Sequence, residues 1–185
     1  FIACVMLTPI LVPIVILLRL TSEGEVFYLQ ERIGLNKEPF MIFKFATMLK
    51  DSPNLGAGDI TLKNDSRVLP IGKLLRKTKL NEFPQFINVL LGHMSIVGPR
   101  PLVNNQFDLI PVKYQQKILL SNPGITSIGS IVFRDEEEFL NNIENDSTKF
   151  YNEQIIPYKA KIECWYYEHR SIFVDLLIIL IKKEQ

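Results

Sequence analysis

The sequence predicts a helix-rich α+β protein whose first helix is embedded in a membrane. Three observations carry that expectation. Phe1 to Leu18 contains no charged residue. The segments rich in β-branched and aromatic residues are short, at 25–30 and 39–48. The rest of the chain reads mainly as helical segments punctuated by Pro and Gly.

The composition bounds the answer. A chain of 185 residues is enough for one medium domain. With 47% hydrophobic and 22% charged residues it can bury a core and is not expected to be disordered. Lys plus Arg number 21 against 20 for Asp plus Glu, which argues against nucleic acid as a partner, since such binders carry a clear basic excess. The mean hydropathy, +0.13, is high for a soluble domain. Cys4 and Cys164 form neither a disulfide framework nor a zinc site by themselves, and suit a reducing compartment. The sequence opens on Phe1 rather than Met, so residue 1 is not expected to be the native start.

The uncharged run Phe1 to Leu18 would measure about 27 Å as a straight helix, against about 30 Å of hydrocarbon. Pro9 and Pro13 each lack the N–H that would bond four residues back, and each ring crowds that carbonyl. Thr8 stands where its hydroxyl can satisfy a freed backbone group. The expectation is a sharply kinked helix that enters the membrane and returns on the same side, with a spanning helix as the alternative. Short strands follow at Glu25 to Gln30 and Pro39 to Met48, then a polar surface loop over 49–66. Ile71 to Lys77 reads as an amphipathic helix, and Pro84 to Leu91 as another, ended by Gly92. Residues 102–120 read as one helix, as do Tyr151 to Arg170. Ser171 to Ile181 is apolar apart from Asp175, and is expected in the core or in the membrane interface. An inward-facing Asp175 would need a buried partner.

Charge is uneven along the chain. Residues 61–80 carry a net +5, and Arg134 to Asp146 a net −5. The acidic run reads first as a solvated face. His93 and His169 are far apart, with no metal spacing around them. No Gly-rich phosphate loop is present.

The chemistry concentrates between Leu75 and Pro101. Asn81 and Glu82 are expected at a helix N-terminus, where backbone N–H groups favour an anion. Arg76 and Arg100 flank them in sequence, and Arg presents a planar fork suited to phosphate oxygens. Gly98-Pro99-Arg100-Pro101 stiffens the backbone around one of these forks. The plainer reading makes Asn81 an N-cap, Glu82 a complement to the helix dipole, and both arginines surface residues.

Several ordered blocks tip that balance. They are the Pro-broken start at Thr8-Pro9, Gln30-Glu31-Arg32-Ile33-Gly34, and Phe43-Lys44-Phe45-Ala46-Thr47-Met48. Asn64-Asp65-Ser66-Arg67-Val68, the Arg76-Lys77-Thr78 block, Gly98-Pro99-Arg100-Pro101 and Asn122-Pro123-Gly124-Ile125-Thr126 follow. Together they resemble the bacterial sugar transferase family, the monotopic polyprenyl-phosphate phosphoglycosyl transferases, over nearly the whole chain. The resemblance implies a re-entrant, Pro-broken membrane helix over 1–20 and a compact domain over 21–185 with short strands and interfacial amphipathic helices. That domain would lie on the cytoplasmic face of the bacterial inner membrane. It implies transfer of a sugar 1-phosphate from a UDP-sugar to polyprenyl phosphate with release of UMP, using Mg²⁺. The expected partners are these two substrates, membrane lipid and a second copy in a homodimer. The resemblance assigns catalysis to Asn81 and Glu82 and gives the metal contact to the family's Asp; with Asn at position 81, Glu82 is the expected metal contact here. It assigns substrate binding to Lys44, Arg76, Arg100 and Arg134. Glu163 and Asp175 match acidic family positions without a defined role.

Position 81 departs from the pattern. The family has a nucleophilic Asp there, and this chain has Asn. A carboxamide is a poor nucleophile and a weaker Mg²⁺ ligand than a carboxylate. Ala46 and His93 stand where Arg and Asp are usual in the family. Four explanations stay open. Glu82 serves as nucleophile; an acid from Asp135 to Glu138 enters the site; the displacement is direct; or the chain is inactive, as an engineered variant that traps substrate or as a natural silent member that binds nucleotide sugar or partners an active transferase.

Overall fold

The computed structural model describes residues 2–21, 23–54, 65–134, 136, 140 and 147–183. Among them the chain is helix-rich α+β, with short strands in two-stranded sheets. Contacts divide it into two units, Phe1–Gln30 with Ile42–Leu90, and Glu31–Met41 with Leu91–Gln185.

The first unit begins with α1 (Ile2–Thr21), which is continuous through Pro9 and Pro13. Each proline forfeits one donor, and the bonds of the flanking turns carry the helix across. Ile14 and Leu18, one turn apart on one face, are 8% and 0% exposed. They pack with Phe45 and Leu75, each burial stabilising by about 2 kcal/mol. Ile10, Val12, Ile16 and Leu20 are exposed. Among the described residues no helix is long and apolar enough to cross a membrane.

Strands β1 (Phe27–Ile33) and β2 (Pro39–Phe45) pair with each other. β1 starts later than expected because Gly24, at φ +82°, turns the chain, and the Arg19 guanidinium donates to its carbonyl. β2 ends before Met48, which instead bridges Val68. α2 (Pro70–Lys77) opens on a proline that needs no donor there. Its Gly72 sits on the backbone of residue 47: a Cβ would fall 2.1 Å from the Thr47 carbonyl oxygen. α3 (Gln85–Leu90) matches expectation to within a residue at each end. Its Asn88, fully buried, accepts the Phe43 N–H at 2.9 Å and so ties α3 to β2. Of the polar loop expected over 49–66, residues 55–64 lie outside the described residues. Its C-terminal end is held by buried Arg67, which pairs with Asp65 at 2.6 Å and donates to the Ser52 carbonyl at 2.8 Å. The Asp65 carboxylate holds the Arg67 guanidinium above its ordinary pKa.

The second unit is built on a parallel strand pair that sequence reading missed. β3 (Ser95–Val97) aligns Ser95 with Gly124 and Val97 with Thr126 of β4 (Gly124–Thr126). Close approach requires glycine here, because a Cβ on Gly124 would fall 2.2 Å from the Gly98 nitrogen. The single helix expected over 102–120 is two, α4 (Asn104–Phe107) and α5 (Val112–Ile118). Pro111 disfavours helical geometry at Ile110 and cannot donate, so the helix breaks there. Gln115 Nε2 satisfies the Ile110 carbonyl at 2.8 Å. α6 (Ile128–Val132) is capped by Ser127, whose Oγ accepts the Ser130 N–H.

The helix expected from Tyr151 is preceded by α7 (Ser147–Phe150). It opens as a π-helical turn over Tyr151–Ile155 and continues as α8 (Ile156–His169). Pro157 lacks the N–H that regular spacing would use, which favours a widened turn before it. α9 (Ile172–Lys183) follows. Phe107 and Ile110 pack with Ile156 and Ala160, and Val97 and Tyr166 with Ile178. Asp175 has the partner its apolar helix demands: the Tyr166 hydroxyl donates to Oδ1 at 2.6 Å. Burial, then that carboxylate, pushes the Tyr166 phenol well above its ordinary pKa. Ile172, Phe173, Leu176 and Leu180 form an exposed apolar set on α9.

Candidate functional site

In the first unit, α2 ends at Thr78 and the chain reverses at Lys79, whose backbone is left-handed at φ +59°. That conformation is uncommon for a residue with a side chain, and such positions gather at functional sites. It delivers a 3₁₀ turn, Leu80–Glu82, closed by the Glu82 N–H on the Lys79 carbonyl at 3.1 Å. Asn81 and Glu82 therefore do not sit at the N-terminus of α3, as expected, and neither caps it. Phe83 and Pro84 intervene, and Lys79 has turned the chain before α3 begins. Both side chains are half-buried. The Asn81 Oδ1 is wholly buried and has no hydrogen-bond partner.

Arg76 lies on α2, one reversal upstream of that turn. Its Nε donates to Thr47 Oγ1 at 2.9 Å, and its Nη2 lies 3.2 Å from Met48 Sδ. Thr47 is 5% exposed. This side chain orients the guanidinium and was not singled out from sequence; its one signal was its place in the Phe43 to Met48 block. Lys44 is half-buried on β2, in the same unit.

Arg100 and Arg134 belong to the second unit. Arg100 is exposed directly after β3, between buried Pro99 and Pro101. The backbone on both sides is tied down: Gly124 N–H donates to the Pro99 carbonyl at 2.8 Å, and Arg32 Nη1 to the Pro101 carbonyl at 3.2 Å. Arg134 is exposed after α6. Of the acids from Asp135 to Glu138, only Glu136 lies among the described residues. It pairs with Lys159. The Lys159 ammonium lies over the rings of Phe133, at 5.2 Å, and Tyr151, at 5.4 Å. Burial lowers the Lys159 pKa and raises that of Tyr151 to about 12.

Glu163 on α8 is 6% exposed, and burial pushes its carboxyl up to about 7. The unfolded chain would ionise it near the ordinary glutamate value of 4.5. Between those values the folded state holds a proton the unfolded state has released, so stability falls as pH rises. Glu163→Gln is expected to flatten that slope, as thermal unfolding across the window would register.

Among the described residues no three His, Cys, Asp or Glu side chains cluster as a metal cage. Mg²⁺ needs no such cage, because one or two carboxylates plus substrate phosphates hold it. The Glu82 carboxylate and the unpartnered oxygen of its chain neighbour Asn81 are the donor types that this mode uses.

The bacterial sugar transferase family matches the chain over residues 1–183. The chain belongs to that family. Among curated relatives, this family member is 34% identical over 185 residues to the UDP-N-acetylgalactosamine-undecaprenyl-phosphate N-acetylgalactosaminephosphotransferase of Aeromonas hydrophila, across 96% of this chain and 39% of that protein. It is 30% identical over 195 residues to the exopolysaccharide production protein ExoY of Rhizobium meliloti, across 96% of this chain and 77% of that protein. It is 34% identical over 181 residues to the UDP-glucose:undecaprenyl-phosphate glucose-1-phosphate transferase of Klebsiella pneumoniae, across 96% of this chain and 36% of that protein. The sugar transferase chain thus spans well under half of the first and third relatives and about three quarters of the second.

Proposed function

We propose that this protein transfers a sugar 1-phosphate from a UDP-sugar to polyprenyl phosphate, releasing UMP, as a first step in bacterial polysaccharide or glycoconjugate assembly. The family match over residues 1–183 carries the reading. The 3₁₀ turn bearing Asn81 and Glu82, in one unit with Lys44 and Arg76, supports it. Glu82 supplies the carboxylate. Its oxygen attacks the phosphorus that bears the sugar; the bond to the bridging oxygen breaks, and UMP leaves with the electron pair. A phosphate oxygen of the acceptor then attacks the same phosphorus and frees Glu82. Asn81 orients donor phosphate through its amide. Glu82 and the Asn81 oxygen would hold Mg²⁺, which would supply charge neutralisation for the diphosphate. Arg76 and Arg100 bind substrate phosphate, with Lys44 and Arg134 adding positive charge.

Residues 1–20 form a re-entrant membrane segment ahead of a catalytic domain over 21–185, on the cytoplasmic face of the inner membrane. The exposed apolar sets on α1 and α9 support contact with lipid, α9 lying in the interface. The protein self-associates as a homodimer. The carboxamide at position 81 favours one second reading, a silent member that binds nucleotide sugar beside an active transferase.

UMP release from a panel of UDP-sugars, with polyprenyl phosphate and Mg²⁺, tests the activity. No release from any donor would leave only the silent reading. Arg76→Ala and Arg100→Ala, made separately, are each expected to weaken UDP-sugar binding roughly tenfold, the scale of a lost charge-assisted contact. Unchanged affinity in both variants would remove the arginines from the phosphate site.

A further inference from the structure

Glu163 is a buried acid that the proposed chemistry does not use. Its Oε1 accepts the Gly129 backbone N–H at 3.0 Å, and the Ser127 hydroxyl also favours its ionised form, while Oε2 is buried and makes no hydrogen bond of its own. A Cβ on Gly129 would fall 2.6 Å from Oε1, so the chain at 129 is bare where the carboxyl approaches. The hydrogen bonds continue from there. Ser127 caps the α6 turn that contains Gly129. The carbonyl of neighbouring Thr126 accepts the Gly98 N–H at 3.0 Å, and Gly124 N–H donates to the Pro99 carbonyl at 2.8 Å. Those last two bonds clamp the parallel strands where Arg100 leaves them. A carboxyl with one orphaned oxygen is a costly way to fill space, since a side chain of similar size without ionisable oxygen would pack there at less expense.

We propose that Glu163 is a positioning residue for substrate phosphate at Arg100: it anchors the Ser127–Gly129 turn, and its charge, when present, weakens the attraction of Arg100 for an anion. The ligand, a nucleotide sugar, rests on the function proposed above. From the α6 turn the Ser127 hydroxyl, itself bonded to Ser130 Oγ, and the Gly129 N–H act on Glu163. Arg100 acts on it from the end of β3, and Lys159, paired with Glu136, from its own helix. Cys164 and Tyr166 flank it on α8; Lys117 of α5 and Glu168 act on Cys164, and Asp175 of α9 holds Tyr166. Tyr151 lies beyond Lys159, in the π-helical turn. Burial pushes the Glu163 carboxyl up to about 7, so its charge changes near neutrality.

The test is calorimetric titration of the full chain with UDP-glucose near pH 6 and near pH 8, a range in which the diphosphate bridge keeps its charge. Wild type is expected to bind roughly threefold more tightly at the lower pH, the scale of one screened charge. Glu163→Gln keeps an acceptor for Gly129 and is expected to bind equally at both. Glu163→Asp keeps the acid, so it restores a pH dependence while binding more weakly. A wild-type affinity that ignores pH, or a Glu163→Gln variant that keeps the wild-type ratio, overturns the proposal. If UDP-glucose does not bind wild type at all, glucose is not the donor sugar, and the Gly129 amide resonance decides the role of Glu163. A titration near neutrality that spreads to the Arg100 amide and vanishes in Glu163→Gln supports it; a flat Arg100 amide overturns it.

Discussion

Replacing Asn81 by Asp is expected to raise UMP release from a UDP-sugar by about a hundredfold or more. A carboxylate oxygen carries a full charge and an available lone pair, whereas the carboxamide delocalises its nitrogen lone pair and leaves its oxygen only partly charged. A factor of a hundred is about 2.7 kcal/mol of barrier, a modest demand on a new nucleophile. The position is prepared for it. Residue 81 sits in a turn set by the left-handed Lys79, with its side-chain oxygen buried and unpartnered. A second, negatively charged oxygen there would also bind Mg²⁺ more strongly, so the Mg²⁺ dependence should shift to lower concentration. Glu82→Gln in the unmodified background is the complementary measurement. Loss of turnover identifies Glu82 as the working carboxylate. Unchanged turnover, together with no gain in Asn81→Asp, would remove this turn from the chemistry.

Gly72→Ala should be the most damaging single change in the first unit. The added Cβ would fall 2.1 Å from the Thr47 carbonyl oxygen and 2.8 Å from its carbonyl carbon. Both are backbone atoms that cannot rotate aside. The same oxygen accepts the Leu69 N–H at 3.0 Å, so it cannot retreat without losing the bond that docks the start of α2. Overpacking of this kind costs about 3 kcal/mol. It also carries a functional signature, because α2 bears Arg76 and residue 47 supplies the hydroxyl that orients it. Thermal unfolding should show the destabilisation. At a temperature where the variant remains folded, UDP-sugar affinity should fall as in Arg76→Ala. A folded variant with unchanged affinity would separate the α2 docking from phosphate binding.

Much of this protein was legible along the chain. The uncharged start, the Pro and Gly breaks around α2 and α3, and the family blocks from Thr8-Pro9 to Ile125-Thr126 are local features, readable without contacts. Pro111 and Pro157 also carried their messages, a broken helix and a widened turn, although the segments around them read as single helices. Asp175 announced the need for a partner, but not that Tyr166 would provide it.

What tertiary structure alone decided depends on residues far apart in sequence. Strands β3 and β4 have three residues each, too few for an alternating pattern, and exist because Gly98 and Gly124 let two backbones touch. The 3₁₀ turn of Asn81 and Glu82 depends on a left-handed lysine, which no propensity favours. Thr47 became an orienting group because α2 folds onto it, and Glu163 a buried acid because α6 packs over α8. Sequence thus determined the family, the helix-rich class and the residue types available for phosphate chemistry. Packing determined which oxygens are buried, which are left without partners, and where each Arg is held, because burial and hydrogen bonding are properties of the neighbours a fold assembles.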